Sequence, residues 1–467
     1  RPTDDHTRTR LNAHTIMGIL GHSLNTYKEV EWLLKTGYFL RVSDVEDAFL
    51  LIPLHPDLWL FMLFRWACDG EGADEDLLAH LFADFGTKGA PGTFQLLMVR
   101  VVVQMARSEM ILTLDLVVYV DDAGIIGDDR VKCDDEMLRL QDWSWQTCGV
   151  PWKRPKDKAA AIPQYYIGFW WNSLTHTRSL DESKLAKYLL ELSEAGQSVS
   201  LTLRERQSLA GKVQRAIMTM PPGAACLLVN CYLMMSRLTL PWHARRTSKA
   251  ERDDYKFVHD VLRYNVGSGY YTYSGFSDGP TVLSDASKSR AYTGGGYVES
   301  SGFYDFWSYG ASASRKPIDY LEGDVVVEAC KSRGSTWRGC IVPFGIDNKV
   351  IQCSAAKGRS SAPRLNTLMK ELFVYQIRDG YVLATFWIST TDNYLSDHLS
   401  RDREAEFLFS LPDSNFLVVP FSELTRHPEA GRRRHLSTDD DPGMAALRQL
   451  LQSYSSNSLF DGPNRGV

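Results

Sequence analysis

Hydrophobic and polar positions alternate over "YFLRVSD" (38–44), which predicts a strand with the carboxylate of Asp44 at its tip. Further on, "VVYVDDAGII" (117–126) sets two adjacent acids between two short apolar runs. Val, Ile and Tyr favour strands, so two polar residues between such runs predict a tight hairpin turning at Asp121 and Asp122. A helical pattern runs from about Pro91 to Met110 between these segments, and "QYYIGFWW" (164–171) reads as one more apolar strand. From about 180 to 265 the pattern is helical, broken at Pro221-Pro222. After "NVGSGYYTYSGFSDGP" it changes again. Strands "TVLSDAS", "GGGYVES" and "FYDFWSYG" come first, then a segment around Glu322 and the strand "CIVPFGID". There follow a helix "APRLNTLMKELFVYQIRDG" with Leu365, Leu368, Leu372 and Tyr375 on one face, the strand "YVLATFWI" and a short helix from Tyr394. This β-β-β-α-β-α-β-α order predicts a separate α/β domain. From 413 onward, charge blocks and Ser/Asn/Gly predict a poorly ordered tail.

Length changes the picture little: 467 residues allow roughly two to four domains, and 44% hydrophobic with 23% charged residues is ordinary globular composition. The eight cysteines form no CxxC pair and no zinc-type spacing, which predicts reduced thiols in an intracellular protein. No apolar run approaches the roughly 18 residues of a membrane span, so no membrane partner is expected. The first residue is Arg1, with no start methionine or secretory leader, and a piece of a longer chain is the expectation. A net charge of −5 argues against a generally basic nucleic-acid coat, although a local positive channel needs no overall excess. Two basic clusters stand out: Lys153, Arg154, Lys156 and Lys158 in "PWKRPKDK", and Arg245, Arg246 and Lys249 in "HARRTSKAERDD". Such runs are more often solvated faces than ligands.

The adjacent acids raise the chemical question. Side chains alternate along a strand, so Asp121 and Asp122 are expected to point to different faces, with Asp121 the leading candidate and a solvated turn the alternative. The segments "SDVEDAFLLIPLHP" (43–56), "FGTKGAPGTFQ" (85–95) and "YVDD" (119–122) occur in the order and at the distances of reverse transcriptases, and the chain resembles that family over about 1–270. "RPTDDHTRTRLN" resembles the fingers segment with its nucleotide-binding arginine, "GVPWKRPKDK" with "YYIGF" the late palm, and "LRERQSLAGKVQRAIMTMPPG" the retrotransposon thumb. Phe85-Gly86 and "PWK" look closest to DIRS-like elements, with gypsy-like elements also open.

The resemblance implies an α/β and α+β multidomain chain: a right-hand polymerase followed by a ribonuclease H-like domain. Fingers and palm would occupy 1–178, thumb and connection 179–275, the ribonuclease H-like domain 276–412 and the tail 413–467. Nucleotidyl transfer activates a 3′ hydroxyl and neutralises a pyrophosphate leaving group, work suited to two divalent ions held by carboxylates. Asp44 and Asp121, supported by Asp122, are the implied ligands of two Mg²⁺ ions, with Mn²⁺ as the alternative. Phe49 would close over the sugar's 2′ position and exclude ribonucleotides; a core phenylalanine is the alternative. Phe85, Gly86 and Gln95 would line the nucleotide pocket and template grip, Arg1 would contact the triphosphate, and Lys153 and Lys156 would track phosphates. Two departures stand out: Phe85 replaces the glutamine of retroviral enzymes, and the fingertip lysine before Arg1 is missing.

The later α/β segment carries Asp285, Glu322, Asp347 and Asp397 near strand ends or on helices. Their order, with "SAPRLN" and "TDNYLSDHLSR", resembles the retrotransposon ribonuclease H, which implies four acids holding two Mg²⁺ ions for hydrolysis of the RNA in a hybrid. Glu328 competes with Glu322, but 347 − 322 = 25 fits that family's spacing better than 347 − 328 = 19. Gly323, three successive valines and Gly334 are poor helix formers, so a degraded helix here is expected.

The leading expectation is an RNA-directed DNA polymerase with a C-terminal ribonuclease H, cut from a retrotransposon-type polyprotein. Its partners would be an RNA template, a DNA primer, the RNA–DNA hybrid and deoxynucleoside triphosphates. The main rival is a decayed or domesticated copy that binds nucleic acid without turnover. A viral RNA-dependent RNA polymerase is disfavoured by Phe49 and by the second acidic domain.

Overall fold

The computed structural model describes residues 26–67, 75–264, 268–273, 275–311, 315–411 and 425–426. Arg1 and nearly all of the 413–467 segment lie outside them. The chain divides into two units between Asp181 and Glu182, with residues 270–272 returning to the first.

In the first unit, helix α1 (Thr26–Leu33) precedes strand β1 (Phe39–Asp44), and strands β2 (Leu63–Ala67) and β3 (Glu75–Ala79) form a hairpin. The helix expected from Pro91 runs as α2 (Ala90–Leu97) and α3 (Val103–Ser108), joined by a π-turn over Met98–Val102. Phe94, Met98, Val102 and Ala106 are all buried at four-residue intervals. That spacing drifts off a 3.6-residue face, and the extra residue of the π-turn brings the stripe back onto the core. Strands β4 (Asp115–Tyr119) and β5 (Asp122–Gly127) follow, then helix α4 (Arg130–Cys148) and strand β6 (Lys158–Ala161). The sheet order is β4-β5-β1-β6, antiparallel throughout. The Asp129 side chain caps α4 by accepting from the Val131 and Lys132 N–H groups, and Gly149 ends it in a left-handed conformation. The run expected as one strand over 164–171 is instead a hairpin of β7 (Gln164–Tyr166) and β8 (Phe169–Asn172), continued by β9 (Thr177–Ser179). Its turn residues Ile167 and Gly168 both have positive φ (41° and 87°). Apolar Ile167 carries no turn signal, so pattern alone runs straight through the corner.

The second unit opens with helices α5 (Glu182–Gln197), α6 (Leu203–Ile217), α7 (Val229–Met235) and α8 (Lys249–Tyr264), with strands β10 (Ser200–Thr202) and β11 (Ala244–Arg246) pairing antiparallel. Thr202 and Glu205 close a reciprocal capping box on α6. Strands β12 (Val282–Lys288), β13 (Thr293–Glu299) and β14 (Phe303–Ser308) then form an antiparallel meander. Helix α9 (Ile318–Arg333) leads to β15 (Cys340–Ile346), parallel to β12. Helices α10 (Lys349–Lys357) and α11 (Pro363–Asp379) lead to β16 (Val382–Trp387), parallel to β15, and α12 (Tyr394–Ser400) and α13 (Glu404–Ser410) follow. The long strands lie in the order β14-β13-β12-β15-β16.

The degraded helix expected after Glu322 is not found: α9 is continuous over sixteen residues. Packing explains this. A Cβ on Gly323 would stand 2.8 Å from Leu368 Cδ1 on α11, so the glycine permits close helix contact, while Val325, Val326 and Val327 are fully buried. Tertiary burial overrides weak propensity here. The glycines of β13 work similarly: a Cβ on Gly295 would meet Val325 Cγ2 of α9 at 2.6 Å, and one on Gly294 would meet the Ser400 carbonyl oxygen of α12 at 2.3 Å. Strand alternation thus sets the two helices on opposite faces of the sheet.

Candidate active sites

In the first unit, strand pairing places Asp44, the last residue of β1, directly opposite Asp122, the first of β5. Tyr119 pairs with Asp122 across the hairpin, so the two-residue turn is Val120-Asp121 rather than the expected Asp121-Asp122. Val120 adopts φ 57°, a left-handed conformation that costs a β-branched residue roughly 1–2 kcal/mol. Three groups hold this corner. The Val45 N–H donates to the Asp121 carbonyl at 2.8 Å. Gln95, buried, donates through Nε2 to the Val118 carbonyl and accepts from the Val120 N–H, each at 3.1 Å. The buried Tyr166 hydroxyl donates to the Asp122 carbonyl at 3.1 Å. Gln95 therefore positions the turn backbone from below. Tyr166 was missed in the sequence, where its place in "YYIGF" was the available signal.

Burial, then the charges of Asp121 and Asp44, push the Asp122 carboxyl up to about 6, with Lys158 and Lys156 pulling it down. Lys153 Nζ lies 3.8 Å from Asp44 Oδ2, and its backbone N–H donates to the Asp44 carbonyl at 2.8 Å. Behind β1, Asp157 accepts from Arg41 Nη2 (3.0 Å), Ser43 Oγ (2.6 Å) and Gln141 Nε2 (2.8 Å), which fixes the strand that carries Asp44. Phe49 is buried in the core, its ring centroid 4.7 Å from that of Phe85. Gly86 has φ 138°, a conformation open to glycine. Lys156 is exposed on the short helix Arg154–Lys156.

In the second unit, β12 supplies Asp285, α9 supplies Glu322 and the end of β15 leads into Asp347. Their carboxylate oxygens all lie within 4.8 Å of one another, the one set of three such groups among the described residues. The three aspartates of the first unit do not close into such a set. Ser400 on α12 donates to Asp285 Oδ2, and Thr390 donates to Asp347 Oδ2 at 3.2 Å. Glu322 Oε2 and Asp347 Oδ1 are buried with no protein partner. Burial first, then the charges of Asp285 and Asp347, hold the Glu322 carboxyl well above the usual range. Burial likewise pushes Asp285 up to about 6 and raises Asp347. Three crowded carboxyls with two unsatisfied oxygens suit a hard divalent cation with oxygen ligands. Asp397 stands outside the set; Arg401 Nη2 lies 2.7 Å from its Oδ1. Glu328 pairs with Lys331 instead. Ser400 and the glycines of β13 were missed in the sequence, although "TGGGY" is a visible signal for close helix approach.

No family model and no curated protein matches the chain. Among solved structures, it is similar to a foamy viral protease-reverse transcriptase in complex with double-stranded DNA, with TM-score 0.43 and 14% identity over 84% of this chain and 63% of that one. A foamy viral protease-reverse transcriptase in complex with an RNA/DNA hybrid gives TM-score 0.41 and 14% identity over 90% of this chain and 48% of that one. The chain thus spans less than two thirds of the length of either. No helix among the described residues is long and apolar enough to cross a membrane.

Proposed function

We propose that the chain is an RNA-directed DNA polymerase with a ribonuclease H-like second unit, taken from a retrotransposon-type polyprotein. The observation that carries this reading is the strand register that sets Asp44 opposite Asp122, with Asp121 in the adjoining turn. A fold that puts like charges directly opposite accepts a repulsion of up to about 4 kcal/mol at 4 Å and an effective dielectric near 20. Binding of a cation reverses that sign. Mg²⁺, held by Asp44, Asp121 and Asp122, would supply the charge that activates the primer hydroxyl and neutralises the departing pyrophosphate. Gln95, Tyr166 and the Val45 N–H fix the backbone that aims these acids, and Lys153 and Lys156 bring positive charge for the triphosphate. Phe49 and Phe85 form the ring pair beneath the proposed sugar position.

In the second unit, Asp285, Glu322 and Asp347 would hold Mg²⁺ for hydrolysis of the RNA strand, with Asp397, outside that set in this structure, as the fourth acid of the reading. The meander, α9 and the parallel pair β12–β15 support this part of the reading. The decayed-copy rival loses one of its grounds, because α9 is intact. The test is extension of a DNA primer on an RNA template with Mg²⁺, followed by assay of RNA cleavage in the product hybrid. A folded chain that does neither overturns the proposal.

A further inference from the structure

Residues 206–250 contain no acidic side chain but seven Lys and Arg: Arg206, Lys212, Arg215, Arg237, Arg245, Arg246 and Lys249. In a chain of net charge −5, a 45-residue stretch of this kind is a concentrated positive region. At least two of the seven are committed to protein. Arg206, fully buried, forms a bidentate pair with the equally buried Glu251 (2.7 and 3.2 Å), and Lys212 pairs with Glu191. The loop 240–246 is exposed at every residue. It carries Trp242 at 70% exposure, with the side chains of β11, including Arg245 and Arg246, exposed beside it.

This loop is firmly fixed. The Leu203 and Arg204 N–H groups at the start of α6 donate to the His243 and Pro241 carbonyls, each at 3.0 Å. Arg206 Nη2 donates to the Arg245 carbonyl at 3.1 Å. The His243 ring stands edge-on to Trp242, centroids 6.4 Å apart. A buried charge pair and the first turn of a helix are thus spent on presenting a bare indole among cations. A solvated charged face has no need of the indole, and a protein-docking apolar face has no need of so many cations.

We infer that Trp242, with Arg245, Arg246 and neighbouring Arg204, forms a contact surface for single-stranded nucleic acid, built from residues that belong to neither acidic centre. The indole face stacks on an unpaired base while the guanidiniums follow the phosphates. A duplex covers its base faces, so the site favours single strands such as an unpaired template segment. The inference rests on the proposed nucleic-acid substrate class but on neither catalytic centre.

The test is equilibrium binding of a short single-stranded oligonucleotide to the full chain carrying Asp121→Asn, without Mg²⁺. Trp242→Ala should weaken binding by roughly 5- to 150-fold, the range for one base–aromatic stack, and Trp242→Phe should restore most of it. Replacing Arg245 and Arg246 together by Ala should lower the log–log salt slope by about 1.4, at roughly 0.7 per phosphate contact. Circular dichroism checks that each variant folds. Affinity indifferent to Trp242→Ala, or an equal loss on blunt duplex, overturns the inference. Failure of primer extension with Trp242-dependent binding intact would instead overturn the polymerase reading alone.

Discussion

Asp44 and Asp122 are cross-strand partners at the end of an antiparallel pair, and the turn beside them carries Asp121. The corner is held by groups from three other segments: the Gln95 amide, the Tyr166 hydroxyl and the Val45 N–H. Its geometry is therefore set by backbone hydrogen bonds that replacing a carboxylate leaves in place.

Asp121→Asn should accordingly abolish primer extension while leaving the circular dichroism spectrum and thermal midpoint nearly unchanged. Extension above a few per cent of wild type would remove Asp121 from the proposed ligand set.

Cleavage and synthesis should separate by substitution. Asp347→Asn is expected to stop cutting of the RNA in a hybrid and spare extension, and Asp44→Asn to do the reverse, because metal-ligand carboxylates act locally and these lie in different units. Loss of both activities from either change, with the fold retained, would point to one shared site.

Stability should fall as pH rises. Asp122 and Asp285 are pushed up to about 6, and burial holds Glu322 well above the usual carboxylate range. An acid whose native pKa exceeds its unfolded value keeps its proton in the native state where the unfolded chain has lost it, so stability declines from about pH 4 upward through the native pKa. Asp324, at about 6, and Glu371, at about 7, add to that slope without belonging to the three-acid set. The diagnostic quantity is the metal dependence: Mg²⁺ should raise the thermal midpoint more at about pH 7.5 than at about pH 4.5. An equal rise at both would count against the carboxylate centres.

Phe49→Ala should cost about 3 kcal/mol or more, measured by denaturant unfolding, since the ring is buried against Phe85 and Phe94. The proposed sugar contact adds a second readout, increased incorporation of ribonucleotides. Destabilisation with unchanged sugar preference would leave Phe49 a core residue only.

Gly294→Ala should separate α12 from the sheet, because the new Cβ meets a backbone oxygen rather than a movable side chain. Hybrid cleavage should fall, because Ser400 loses its hold on Asp285, while extension stays at wild-type level. Unaltered cleavage would show that this hold is dispensable.

Much of this was legible in the sequence, for identifiable reasons. Asp44 and the 117–126 hairpin announced themselves through alternation ending in charge, and the strands of the second unit through apolar runs between glycines. The turn was misplaced by one residue because Val120 occupies a backbone region that valine avoids, and the corner at Ile167 was hidden for the same reason. The integrity of α9 was illegible because Gly323 and the valines are chosen for what they touch on α11 and the sheet, which lies far away in sequence. Gln95 was marked out by its motif, but only the fold shows both ends of its amide engaged with the turn.

The helices of residues 182–264 and the α/β sheet share one unit, and the seam between them is chemically specific. Lys370 pairs with the buried Asp254, the Asn366 amide donates to the Cys226 carbonyl at 3.0 Å, and Gly358 lies so near Gly223 that a Cβ there would stand 2.4 Å from its Cα. An excised α/β piece beginning at residue 276 would leave Lys370 and Asn366 facing solvent without these partners and would expose one side of α11. The smallest autonomous piece expected to keep its shape therefore starts near residue 182, and the helical segment acts as a permanent wall of the α/β sheet domain rather than as a detachable hinge.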